Sequence, residues 1–336
     1  MREGRYSSRR LPVVSRWPGI LTIIACLGCW IMGYAFSIGY PVYGEVSSTP
    51  LWNIICMALP GKAFTYFIGF ILMALGALLL HRANLELRFI REKTLLPFIL
   101  YILFISTNPD FLPLNATSLG TYCLILAMYE LFSSYHSPEK VSKAFNTALL
   151  IGIGSLLWIH IIWFLPLFWY GMYTFRTFSL RGVIASLLGI GIIYWLLFGW
   201  NILFYNYQSF IIPFASLFKI NLQGIGEWDL WQTITTLWIA GLTVVASFNI
   251  ITHEFDDNLR TREYLFFLMF FAIWAFTLFF LYEQTSDELL EIACIPCSIL
   301  LAHFFTVQKG KIVFWLFLLT PLLFLARFIN YIWNFL

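Results

Sequence analysis

The sequence predicts an all-α fold, a polytopic transmembrane helical bundle of about eleven helices, on three observations. Of 336 residues, 60% are hydrophobic and 20% aromatic while only 11% are charged, too few polar groups to cover a water-facing globule. Several windows, such as Pro18 to Tyr40, Arg181 to Tyr205 and Lys311 to Trp333, exceed the roughly 20 apolar residues that cross a hydrocarbon core of about 30 Å. The basic residues gather in alternate connections between the apolar runs.

Taken in order, a basic segment, residues 1–17, precedes one polytopic membrane domain, 18–336. "SSRRLPVV" has the look of a twin-arginine export signal, but no small-residue cleavage site follows, so the first helix, 18–39, is expected to stay uncleaved. The next apolar segments are 62–80 and 94–107. The latter ends at Asn108-Pro109, because a residue before proline is pushed out of the helical region. After 116–133 come 145–159 and 160–175, which meet at Ile159-His160 without a polar turn. At 1.5 Å per residue each reaches about 22 Å, which predicts two short crossings or a re-entrant pair. Segment 182–204 leads to the longest outer connection, 205–233, whose "NLQGIGEWDLW" suits the headgroup region. Segments 234–252, 264–282, 288–307 and 312–333 complete the eleven. Gly152, Gly154, Gly189 and Gly191 mark places where helices approach closely, since no charged residue follows them at phosphate-loop spacing.

Alternating the connections from a cytoplasmic N-terminus places 17 of the 20 Lys and Arg residues inside. The opposite face keeps Lys62, Lys219 and Arg327, and holds Glu45, Asp110, Glu227, Asp229, Glu283, Asp287, Glu288 and Glu291. A single missed crossing would invert every later loop and mix the two sets. The prediction is a multi-pass membrane protein with its N-terminus on the cytoplasmic side and its C-terminus on the outer side. The net charge of +3 thus reflects orientation rather than a nucleic-acid partner. The partner the composition implies is the lipid bilayer.

Six cysteines lie mostly within apolar stretches and predict no disulfide framework. "CIPC" at 294–297 has redox spacing, but its mid-helix apolar setting disfavours a reactive thiolate and predicts packing. Two outer acids stand out. Glu45 in "VYGEVSS" and Asp110 in "STNPDFLPLNATS" face one compartment, where such a pair can share a divalent cation, or one can take a proton while the other holds the reacting group. Asp110 also fits a turn cap. His160, at the outer junction of the short segments, is a candidate proton carrier or a headgroup-level hydrogen bonder. Arg327 lies within the apolar "FLLTPLLFLARFINYIW", where an unpaired guanidinium is costly. It either snorkels to the headgroup level or has a partner, a lipid phosphate gripped bidentately or an outer carboxylate such as Glu291. Glu130 poses the mirror problem near the inner end, answered by Lys140 or Lys143.

From "TNPDFL" through "AFNTALLIGIGSLLW" and "FLPLFWYGMYTFRTFSLRG" to about residue 200, the order of signals resembles a family of polytopic inner-membrane proteins from Bacteroidota with no settled activity. More distantly, the layout is similar to GT-C glycosyltransferases, which take sugars from polyprenyl-phosphate carriers at the outer face. The likeness makes 18–204 a GT-C-like half, followed by the outer loop 205–233 and C-terminal helices 234–336. Members of that class carry an acidic motif after the first helix and further acids on the outer loop after the third, the places of Glu45 and Asp110. Here Gly44 stands where a second acid is usual, and "LLWIH" where many carry a lysine.

That resemblance implies transfer of a sugar from a polyprenyl-phosphate carrier at the periplasmic face. Glu45 and Asp110 would be catalytic or metal-binding, and Arg327 with His160 would lie near the lipid phosphate. The opposing expectation is a non-enzymatic envelope-complex subunit, scaffold or transporter. No inverted repeat and few midplane charges speak for a transporter.

Overall fold

The computed structural model describes residues 16–40, 49–90, 92, 94–135, 137–203, 213–220, 230–253, 258–282, 285–308 and 310–335. The longer helices among them are α1 (Arg16–Phe36), α2 (Pro50–Ala58), α3 (Lys62–Leu87), α4 (Leu96–Ser106), α5 (Ala116–Ser133), α6 (Lys140–Leu157), α7 (Leu165–Thr174), α8 (Leu180–Leu203), α9 (Leu230–Thr252), α10 (Leu259–Leu281), α11 (Ser286–Val307) and α12 (Lys311–Phe335). Prolines at the first turns of α2, α4 and α7 start helices where a missing N–H costs nothing. The described residues form no β-strand. Seven helices, α1, α3 and α8 to α12, are long and apolar enough to cross a bilayer, and α4 is a shorter apolar helix. The chain is an all-α, multi-pass membrane protein.

Each of the eleven apolar segments contains a helix among the described residues. Two features differ from the expectation. Helix α2 was not among the segments because its nine residues are too few to span. It is held by packing instead: Trp52 is 1% exposed, and the Thr49 hydroxyl donates to the carbonyls of Leu156 and Leu157 at the end of α6. The break within 145–175 falls at Trp158, which is extended, and a 3-10 run, Ile159–Phe164, follows before α7. Glycines explain that run. A Cβ on Gly120 of α5 would strike the Ile161 side chain, and one on Gly154 of α6 would lie 3.2 Å from it. Ile161, fully buried, fills the notch these two glycines leave.

Gly152 and Gly189 mark the seam of α6 with α8, where a Cβ on Gly189 would sit 2.7 Å from the Phe145 carbonyl. Gly191 has no such role, since nothing lies within 4 Å of its Cβ position. Helix α11 is the axis of the bundle. Its most apolar window is 94% buried, against 22% for α1 and 28% for α8 and α12. The latter three present Leu21, Trp195 and Trp333 among other exposed apolar side chains, the surface a bilayer covers. Cys294 and Cys297 are both buried in α11, as packing requires.

One end of the bundle brings together residues from several of the basic connections. There Lys143 of α6 pairs with Glu130 of α5 at 2.8 Å, Lys140 reaches the Arg176 carbonyl at 3.4 Å, Thr261 donates to the Arg88 carbonyl, and Tyr264 donates to that of Phe132. The Lys143–Glu130 side chains are 24% and 25% exposed. A double-mutant cycle with Lys143→Ala and Glu130→Gln, read from unfolding midpoints in detergent, is expected to give a coupling of about 1 kcal/mol.

Candidate functional site

The other end gathers the close of α4, the start of α5, the starts of α9 and α11 and the last turns of α12. The turn between α4 and α5 is shaped locally. Thr107 closes α4 by donating its hydroxyl to the Leu103 carbonyl at 2.7 Å, Asn108 is extended, and Pro109–Phe111 make one 3-10 turn. The cap of α5 is Asn115, not Asp110. Its side chain accepts from the Ser118 N–H at 2.6 Å while Ser118 Oγ accepts from the Asn115 N–H, a reciprocal capping box.

Helix α3 clamps this turn. The Leu114 N–H donates to the Thr65 carbonyl at 3.2 Å, and Gly69 lets the backbone come so close that a Cβ there would stand 2.6 Å from the Leu112 oxygen. Gly39, at φ +73°, lies under Pro109 and Pro113 in a conformation that favours glycine. Asp110 is therefore carried on a fixed turn rather than a loose loop.

Asp110 and Arg327 line one cavity of about 350 Å³ with Pro109, Gln232, Asn330, Tyr331 and Asn334. Arg327 is 8% exposed. It donates to Thr235 Oγ1 of α9 at 3.2 Å and to Asn108 Oδ1 at 3.3 Å. Gln232 donates to Asp287 Oδ1 at 2.6 Å. The Asn115 side chain donates to the Asp110 carbonyl at 3.4 Å, and Glu291 on α11 is 2% exposed. Asn108 Nδ2 and Glu291 Oε2, two buried atoms outside the cavity lining, have no hydrogen-bond partner among the described residues. Asp110 is accessible at the mouth and enclosed by protein on its other sides. That enclosure raises its carboxyl above the ordinary range, and the nearby Arg327 guanidinium works against the rise.

Of the residues expected from sequence, two meet here. Glu45 lies outside the described residues, so its distance from Asp110 and the shared metal site lie outside them too. His160 is not among the residues lining this cavity. It is buried, its ring inclined at 37° to Trp158 and edge-on to Tyr282, with both ring centroids 4.9 Å away. As for a divalent cation, the described residues bring together no group of three or more His, Cys, Asp or Glu, and Arg327 puts a positive charge beside Asp110. That donor set does not fit a divalent ion without a further acid.

Gln232, Asn330, Tyr331 and Asn334 were missed, although "RFINYIWN" carries a signal. Residues 327, 330, 331 and 334 recur at helical spacing and put four polar side chains on one face of an apolar helix. The arrangement offers a fixed cation, a carboxylate and several amide and phenol groups, the equipment for holding an anionic, hydroxyl-bearing ligand.

Comparison with known proteins gives one match. The model of a family of unknown function (DUF6427) matches residues 45–332, which include the cavity's lining residues through Tyr331. No curated protein and no solved structure matches.

Proposed function

The chain belongs to the DUF6427 family, and on that premise we propose that it binds a phosphorylated lipid carrying a sugar in the Asp110–Arg327 cavity and transfers the sugar. The carrying observation is the convergence of Asp110 and Arg327, 217 residues apart by their numbers, on one cavity of about 350 Å³. The polyprenyl-phosphate carriers of GT-C enzymes are the substrate class, and the host membrane is a bacterial inner membrane. The charge bias of the connections puts this end of the bundle on the periplasmic side, with the N-terminus cytoplasmic.

In this reading Arg327 grips the phosphate and stabilises the charge that grows as the sugar leaves. Gln232, Asn330 and Asn334 bond sugar hydroxyls. Asp110 takes the proton of the acceptor hydroxyl, whose oxygen forms the new bond to the anomeric carbon. The old carbon–oxygen bond breaks, and its electron pair departs with the polyprenyl phosphate.

The test uses the full chain in lipid nanodiscs with a polyprenyl-phosphate hexose and a series of acceptor alcohols. Wild type should bind and turn over, and Asp110→Asn should bind without turnover. Absence of binding by wild type ends the reading, while binding without transfer across the acceptors assigns the cavity to a non-enzymatic lipid-binding component.

The pH profile supplies a further prediction. Asp110 acts as a base only when ionised, and its raised pKa places the rising limb of the rate above the ordinary aspartate range. Arg327→Gln removes the charge that favours the carboxylate, so the limb should move to higher pH. A limb in the ordinary range that does not move removes Asp110 from the role of base.

A further inference from the structure

At the end of the bundle opposite Asp110, a groove of about 800 Å³ runs between α7 and α10. Its wall includes Tyr170, stacked on Phe270 with centroids 4.2 Å apart and rings inclined at 27°, and Met269. Tyr173, Phe178 and Ile273 edge it, each more than half exposed, so the groove opens sideways onto exposed apolar surface. At its mouth stand one cation and one anion, Arg176 and Glu263. Arg176 ends α7 in the left-handed region at φ 55°, and its carbonyl takes the Lys140 ammonium at 3.4 Å, adding a second cation nearby.

We propose that this groove is a binding site for a phospholipid with a zwitterionic, primary-amine headgroup of the phosphatidylethanolamine type. The phosphate lies against Arg176 and Lys140, the ammonium donates to Glu263, and one acyl chain follows the aromatic wall. A quaternary ammonium is less suited, because it needs open ring faces around it, and the Tyr170–Phe270 stack covers one face of each ring. An anionic headgroup without an amine leaves Glu263 as a repelling charge. The proposal stands apart from the sugar-transfer reading and shares no residue with it.

The experiment is native mass spectrometry of the full chain exchanged into an equimolar mixture of phosphatidylethanolamine and phosphatidylglycerol, at an activation energy that strips bulk lipid. Wild type should retain phosphatidylethanolamine in preference. Glu263→Gln should reduce that preference about tenfold, and Arg176→Gln should weaken retention of both lipids. Ile273→Trp, at a position 62% exposed and therefore compatible with folding, should fill the groove and abolish retention. Preference for phosphatidylglycerol in wild type, or unchanged retention in all three variants, overturns the proposal.

Discussion

Replacing Arg327 by alanine should reduce affinity for a polyprenyl phosphate about a hundredfold or more, measured by titration in nanodiscs. Truncating a buried, hydrogen-bonded charge that holds an anion commonly has this effect. Stability should fall as well, by about 1–3 kcal/mol, because Asn108 Oδ1 and Thr235 Oγ1 lose their donor in a buried place. Arg327→Lys separates the two effects. A lysine keeps the charge and can restore one hydrogen bond, so folding should largely recover. It lacks the planar fork that grips a phosphate through two parallel bonds, so affinity should recover only in part. If Arg327→Ala binds the lipid as wild type does, the guanidinium serves only to tie α9 and α12 to the α4–α5 turn, and the phosphate must be held elsewhere.

Gly69→Val should be strongly damaging although it lies outside the cavity. The new Cβ would stand 2.6 Å from the Leu112 oxygen and 3.0 Å from the Leu114 nitrogen, both backbone atoms of the turn. Neither can swing aside like a side chain. Either α3 or the turn must move, at a cost of about 1–3 kcal/mol or more, and the Leu114 N–H to Thr65 hydrogen bond is the first contact to go. Because this turn carries Asp110, transfer activity should fall more than stability alone explains. The check is to compare turnover with unfolding midpoint for Gly69→Ala and Gly69→Val. Activity falling with a midpoint near wild type locates the effect in the position of Asp110. An unchanged activity and midpoint in Gly69→Val contradict the close approach.

Much of the fold was legible because helix formation in this chain follows from unbroken apolar runs and the punctuation between them. Asn108-Pro109 marked the end of α4, and Lys143 was a named partner for Glu130. Helix α2 was hidden because nine residues give little periodicity and no spanning length. The break near His160 was legible to within a residue or two, but the 3-10 run that follows it was hidden because it depends on Ile161 fitting between Gly120 and Gly154, a contact between three separate elements. The candidate site was legible in part. A buried arginine demanded partners, but the sequence offered Glu291 or a lipid and did not point to Asn108 and Thr235.

The sequence by itself determined that this is an all-α membrane protein and where its apolar helices lie. Length and hydropathy decide whether a segment can lie in a bilayer, without reference to neighbours. The tertiary structure alone decided which helix is the axis and which polar groups meet. The most apolar window of α11 is 94% buried and that of α12 only 28%, although both qualify as spans. Lipid tails and protein interior are equally apolar, so hydropathy carries no signal that tells a lipid-facing helix from a central one. The meeting of Asp110, Gln232 and Arg327 in one cavity likewise follows from how α4, α9 and α12 pack around that axis, and no local pattern encodes it.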